Sequence, residues 1–191
     1  QAPQGFASYV QAVHDHPHDA ARALAALEEF RVLCAVREGP RGVHALNERL
    51  TAMLAPAMRS SASPSGSSQP LQGSAWYVWR PVLVTRNEPR LGLYNGDVGV
   101  TLPDDQGQLQ VWFAGGPLST RDSALDKGLR AFHPAQLPPH ETAWAMTVHR
   151  AQGSEFEQVL VILPEQESRV VTREWIYTAV TRARTQLQVV A

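Results

Sequence analysis

The sequence predicts an α/β fold in which a small antiparallel β unit is set into a parallel-sheet domain. Two apolar runs, Phe30 to Val36 and Val159 to Leu163, have the length and composition of buried strands, and each lies next to a helical segment. Between them, from Trp76 to about Leu137, short strands alternate with turn sequences. At 191 residues and 43% hydrophobic, the chain is long and apolar enough to bury a core.

Residues 7–29 read as helical, with a break at His16-Pro17 and an Ala-rich stretch from Ala20 to Glu29 that sets Leu24 and Leu27 at helical spacing. Gly39-Pro40 and Gly42 close the first strand in a loop. Val43 to Met58 is a helix with Leu46, Leu50 and Leu54 on one face. Ser60 to Ser74 is a low-complexity linker or flexible loop. In the β unit, strands are expected at Val82–Val84, Val98–Leu102 and Leu109–Phe113. Asn95-Gly96-Asp97 and Asp104-Asp105-Gln106-Gly107 are the turns. After Pro138-Pro139 the pattern returns to strand, helix (Thr172 to Arg184) and a last strand, Leu187 to Val190. Residues 1–74 and 140–191 would complete one sheet around an insert at 75–139.

Composition excludes several classes. One cysteine, Cys34, rules out an internal disulfide framework and a Cys-based zinc site. His14, His16 and His18 flank Pro17 without a second ligand cluster, so no metal site is expected. No apolar run approaches the ~18 residues of a membrane span. The chain begins at Gln1 without a signal-peptide pattern, which reads as a fragment of a larger cytoplasmic protein. With a net charge of −1, any nucleic-acid binding depends on local placement of charge. The 17 cationic side chains include a single lysine, Lys127, in Leu125-Asp126-Lys127-Gly128. A G-x-x-x-x-G-K-[ST] phosphate loop needs its lysine on the β/γ-phosphates. The fragment is therefore not by itself a complete ATPase of that class.

Two segments are the most specific. Thr147-Val148-His149-Arg150-Ala151-Gln152-Gly153-Ser154-Glu155-Phe156 precedes a buried strand, and Tyr177-Thr178-Ala179-Val180-Thr181-Arg182-Ala183-Arg184 precedes the last one. They resemble motifs V and VI of superfamily 1 DNA helicases. Leu33-Cys34-Ala35-Val36-Arg37-Glu38-Gly39-Pro40, Leu93-Tyr94-Asn95-Gly96-Asp97-Val98-Gly99 and Thr142-Ala143-Trp144-Ala145-Met146-Thr147 narrow the resemblance to the C-terminal part of the RecD family, the α subunit of exodeoxyribonuclease V.

The resemblance implies a second RecA-like motor domain with an inserted SH3-like β-barrel, in a helicase moving 5′ to 3′ on single-stranded DNA with ATP and Mg²⁺. It implies RecB and RecC as partners and a further, N-terminal motor domain that holds the phosphate loop and the magnesium ligands. Arg182 matches the trans arginine that stabilises the transferring phosphoryl group, a role worth ~10³–10⁵ in rate. The plainer reading is that Arg182 or Arg184 caps a helix C-terminus. Arg37 matches a second phosphate ligand, or is a solvated loop arginine. Glu155 matches the acid at the nucleotide sugar, or is an N-cap, and Gly153 permits close backbone approach at its turn. Thr147 and His149 match contacts to the DNA backbone. If the segment is extended, they project to one side with Ala151. Gln152 links the nucleotide and DNA sites, or is an exposed polar residue. In the insert, Arg80, Arg86 and Arg90 lie near Trp76, Tyr77 and Trp79, which suits single-stranded DNA or else a tryptophan core with solvated charge. The rival reading for the whole chain is a non-catalytic nucleic-acid or protein binding module on a degenerate scaffold of the same fold.

Overall fold

The computed structural model describes residues 4–59, 76–115 and 128–191. The serine-rich stretch 60–74 and Lys127 lie outside the described residues. Helix α1 spans Ala7–Asp15 and α2 Ala20–Glu29. The break falls at Pro17, where proline lacks the N–H a continuing helix needs. Asp19 restarts the helix: its Oδ1 accepts from the Arg22 N–H at 3.0 Å. Strand β1 (Phe30–Cys34) follows without a loop and is buried along its whole length. Helix α3 (Val43–Arg59) buries Leu46, Leu50 and Leu54, as the spacing predicts, together with Val43 and Met58.

Strands β2 (Pro81–Val84), β3 (Val98–Pro103), β4 (Leu109–Ala114), β5 (Leu129–Phe132) and β6 (His140–Thr142) form one antiparallel sheet in the order β5-β4-β3-β2-β6. Strands β7 (Ala145–Thr147) and β8 (Phe156–Ile162), helix α4 (Arg173–Val180) and strand β9 (Ala183–Val190) complete the chain. Strands β7-β1-β8-β9 make a four-stranded sheet in which every pairing is parallel. One sheet is thus assembled from both ends of the sequence.

The chain divides into two compact units: Gln1–Val10 with Ala26–Ala57 and Trp144–Ala191, and Gln11–Ala25 with Met58–Ala143. The first holds the parallel sheet and an aromatic cluster. Phe6 meets Phe30 and Trp144 edge-on at 4.8 and 5.2 Å between centroids, and Tyr9 meets Trp144 at 5.3 Å. Edge strand β7 is held on its outer side by a side chain. Asn47 of α3, only 7% exposed, donates Nδ2 to the Ala145 carbonyl at 3.0 Å and accepts the Ala145 N–H on Oδ1 at 2.9 Å. An amide side chain thereby stands in for a neighbouring strand.

The second unit packs Val82, Val84, Leu93, Val111 and Phe113 against Trp76, Leu91, Phe132 and Leu137. Its sheet is open: β5 and β6 are the ends of the ladder, and no pairing between them closes a barrel among the described residues. Asp104 organises the β3–β4 turn by accepting the N–H groups of Gln106 and Gln108, each at 2.9 Å.

Three expectations are corrected. Strand β8 alternates instead of being covered on both faces: Phe156, Val159 and Val161 are buried, while Leu160 and Ile162 are half-buried. Helix α4 stops at Val180, not Arg184, because parallel pairing with β8 takes the backbone from Ala183 onward. Strand β7 ends at Thr147, and residues 148–153 form turns, so Thr147, His149 and Ala151 do not share one side of a strand.

Asn47→Leu removes both bonds and strands a buried peptide group. We expect a loss of ~2–3 kcal/mol in urea denaturation, with faster amide exchange at Ala145.

Candidate functional site

The connection between β7 and β8 carries most of the predicted site residues. It leaves β7 where Thr147 pairs with Cys34, and the Val148 N–H bonds the Cys34 carbonyl at 3.2 Å. It rejoins the sheet at Phe156, whose N–H bonds the Arg182 carbonyl at 2.8 Å. Cys34 also pairs with Ile162, six residues beyond Phe156 on β8. Eight residues, 148–155, therefore pass from the C-terminal edge of the sheet to its N-terminal edge, a span of about 20 Å. The Thr147 carbonyl accepts the Arg150 and Ala151 N–H groups at 3.0 and 3.2 Å, and the His149 carbonyl accepts the Gln152 N–H at 3.3 Å. Gly153 ends the turn at φ +88°, a left-handed conformation that favours glycine.

At the N-terminal edge three segments converge. The Arg182 guanidinium donates Nη1 to the Ser154 carbonyl at 2.8 Å, Nε to the Thr178 carbonyl at 3.1 Å and Nη2 to the Thr181 hydroxyl at 3.2 Å. The Thr178 carbonyl lies in the last turn of α4, so Arg182 does cap that helix. These bonds use three of the five N–H donors of a guanidinium. Arg184 lies outside that turn and is exposed. Its Nε meets Glu155 Oε2 at 3.1 Å and its Nη1 meets Glu157 Oε1 at 3.5 Å. The hydrogen bonds that Arg184 donates to Glu155 and, less strongly, to Glu157 raise its pKa above the ordinary arginine value. The edge thus presents a guanidinium, a carboxylate and an exposed glycine turn within one short arc.

At the opposite edge are Thr147, half-buried, and His149, exposed. Arg37, three residues past β1, is exposed there too. One of its Nη atoms lies 3.3 Å from His44 Nε2, and His44 Nδ1 lies 3.0 Å from Glu38. The structure therefore gathers Gly153, Glu155 and Arg182, and sets Arg37 with Thr147 and His149. The reason is topological: Arg37 follows the end of a parallel strand, whereas Arg182 precedes the start of one. Gln152 is exposed between the two groups.

Sequence reasoning missed Arg31. It is 1% exposed, donates Nη2 to the Leu27 carbonyl at 3.3 Å and lies 4.9 Å over the Phe156 ring. Burial pushes its pKa down to about 10. It supports the start of β8, next to Glu155. A lone arginine inside the apolar run Phe30 to Val36 was the available signal. In the second unit Trp79 and Arg80 are buried, and Arg80 stacks over Trp76 at 4.6 Å. These belong to the packing of that unit. Among the described residues, no three His, Cys, Asp or Glu side chains group as metal ligands, and no helix is long and apolar enough to cross a membrane.

With this geometry in view, residues 142–190 match the UvrD-like helicase C-terminal domain family. More particularly, the chain is similar to RecBCD enzyme subunit RecD. It is 41% identical to RecD of Mycolicibacterium smegmatis over 90% of this chain and 27% of that protein. It is also 41% identical to RecD of Mycobacterium tuberculosis H37Rv over 88% of this chain and 26% of that protein. The ATP-dependent RecD2 DNA helicase of Deinococcus radiodurans is 32% identical over 81% of this chain and 19% of its own length. A crystallised Pif1 helicase from Bacteroides, in complex with ADP-AlF3 and ssDNA, aligns at TM-score 0.47 and 16% identity over all of this chain and 50% of that one. The chain spans about a quarter of the length of the RecD proteins it matches.

Gly153→Ala places a Cβ where nothing lies within 4 Å, so the penalty is confined to the backbone. We expect a loss of ~1–2 kcal/mol in thermal unfolding, with the rest of the fold intact.

Proposed function

We propose that this chain is part of the second motor domain of a RecD-type, ATP-dependent 5′ to 3′ DNA helicase that processes double-strand breaks with RecB and RecC. In this reading the domain is RecA-like, residues 75–139 are its SH3-like insert, and residues 1–74 and 140–191 make up the rest. The observation that carries the reading is the eight-residue connection 148–155. It ends beside Arg182 at one sheet edge and begins at Thr147 and His149 at the other. A nucleotide bound at the first edge and DNA at the second are then coupled through one short segment, with Gln152 between them.

The residues at the first edge suit a magnesium nucleotide held by another domain. Arg182 has donors to spare for phosphate oxygens, and the Gly153 turn leaves the backbone open to close approach. Glu155 offers acceptors to sugar hydroxyls once it shares or leaves Arg184. No magnesium ligand is assigned to this chain. In hydrolysis, negative charge spreads over the γ-phosphoryl oxygens, and a fixed guanidinium stabilises that distribution. Because Arg182 comes from the facing domain, its effect depends on closure of the two domains. Arg37 lies with the DNA-side residues by topology. It reaches the phosphates only if the nucleotide or the closing domain extends along the strands. By itself the fragment is expected to show negligible ATPase activity and weak, salt-sensitive DNA binding.

Two substitutions in the full-length protein separate a phosphate contact from a helix cap. Arg182→Gln should lower ATP turnover by ~10³–10⁵ while fluorescent-nucleotide affinity changes only a few-fold. Arg182→Lys keeps a cation at the helix end but not the planar fork. It should lose most turnover with little change in unfolding midpoint. Equal loss of binding and turnover in both variants removes the assignment.

A further inference from the structure

We propose that Arg184 is a positioning residue for the nucleotide site: it aims the Glu155 carboxylate at the hydroxyls of a nucleotide sugar, and Glu157 holds Arg184 in turn. The inference rests on the reading of Glu155 as the sugar contact and concerns what holds that side chain in place.

The backbone at Glu155 is fixed by its neighbours. Arg182 donates to the Ser154 carbonyl on one side, and the Phe156 N–H bonds the Arg182 carbonyl on the other. Neither bond restrains the Glu155 side chain, which is exposed just before β8 begins. A glutamate in solvent has several staggered rotamers open to it, and ordering it costs entropy. The restraint comes from β9. Arg184 donates Nε to Glu155 Oε2 at 3.1 Å. That bond engages one oxygen of the carboxylate and leaves Oε1 able to accept from a hydroxyl.

Arg184 is itself held. Its Nη1 lies 3.5 Å from Glu157 Oε1, so the guanidinium straddles the two acids that flank the buried Phe156. The residues on either side of it are tied to β8. Ala183 pairs with Phe156, and the Thr185 hydroxyl donates to the Glu157 carbonyl at 2.6 Å. A planar fork that bonds two separate carboxylates has its plane set by both, which a point-like ammonium would not. The raised Arg184 pKa agrees with bonds to both acids. Two carboxylates share one cation, so Glu155 keeps its acceptor character toward a neutral hydroxyl. All three side chains are about half exposed, so solvent weakens each contact and the expected effect is modest.

The test is calorimetric titration of the full-length protein with magnesium ADP and with magnesium 2′,3′-dideoxy-ADP, which lacks the sugar hydroxyls. The wild type should prefer ADP, and Glu155→Gln should lose most of that preference. Arg184→Gln should weaken ADP by about 2- to 5-fold, leave dideoxy-ADP unchanged and keep the unfolding midpoint. Glu157→Gln should weaken ADP in the same direction by less. The Glu155→Gln/Arg184→Gln double variant should bind ADP no worse than Glu155→Gln alone, because the two residues act through one contact. An Arg184→Gln variant that keeps the wild-type preference overturns the positioning role and leaves the sugar contact standing. Equal weakening of both nucleotides in that variant also overturns it, since the cation would then act on the phosphates they share. Equal wild-type affinity for ADP and dideoxy-ADP overturns the sugar-contact reading of Glu155 and the role of Arg184 with it.

Discussion

Everything at the N-terminal edge of the parallel sheet depends on how β8 and β9 begin together. The Phe156 N–H bonds the Arg182 carbonyl, and the Arg182 guanidinium bonds the carbonyl of Ser154, both at 2.8 Å. One residue thus joins the two motif-bearing segments by its backbone and by its side chain. The first bond opens the ladder, whose register shifts by one residue between Phe156 and Gln158. The second fixes where the Gly153 turn ends and therefore where Glu155 stands. Removing the guanidinium disturbs the acid as well as the charge, so the geometry of the edge is collective.

Support for that arrangement comes from groups that touch neither predicted ligand. Arg31 lies under Phe156, fully buried, with its charge carried against an aromatic face and a helix carbonyl. Asn47 holds the other end of the connection by satisfying the free side of β7 at Ala145. A segment of eight residues crossing a sheet is short enough to be pulled taut. It is fastened at both ends by polar side chains within apolar surroundings, where an unmade hydrogen bond is costly.

The two predicted roles of Arg182 are not exclusive. Its Nε caps α4 while other N–H groups of the same planar fork remain for an anion. Capping is a form of preorganisation: in the proposed role, a guanidinium already held at a helix end would give up little rotamer freedom on meeting a phosphate. Arg184 is in the opposite situation, exposed and paired with Glu155 and Glu157, where solvent weakens the pair.

The α/β class, the helix break at Pro17, the Leu46–Leu50–Leu54 face and the β3–β4 turn were legible in the sequence. They follow from local rules of periodicity, missing donors and turn chemistry. The resemblance to RecD was legible too, carried by the types and spacing of the motif residues. The sequence could not say that Arg37 and Arg182 sit at opposite sheet edges, because strand direction and neighbour order arise from pairings between residues more than 100 positions apart. Nor could it separate Trp79 and Arg80, which are buried, from Tyr94, which is exposed. Aromatic and basic residue types suit both a core and a surface, and only the burial of Leu93 beside it turns Tyr94 outward. Local chemistry wrote the elements and the candidate residues. Long-range pairing decided which of those residues meet, since no short stretch of chain contains the energy of a parallel ladder.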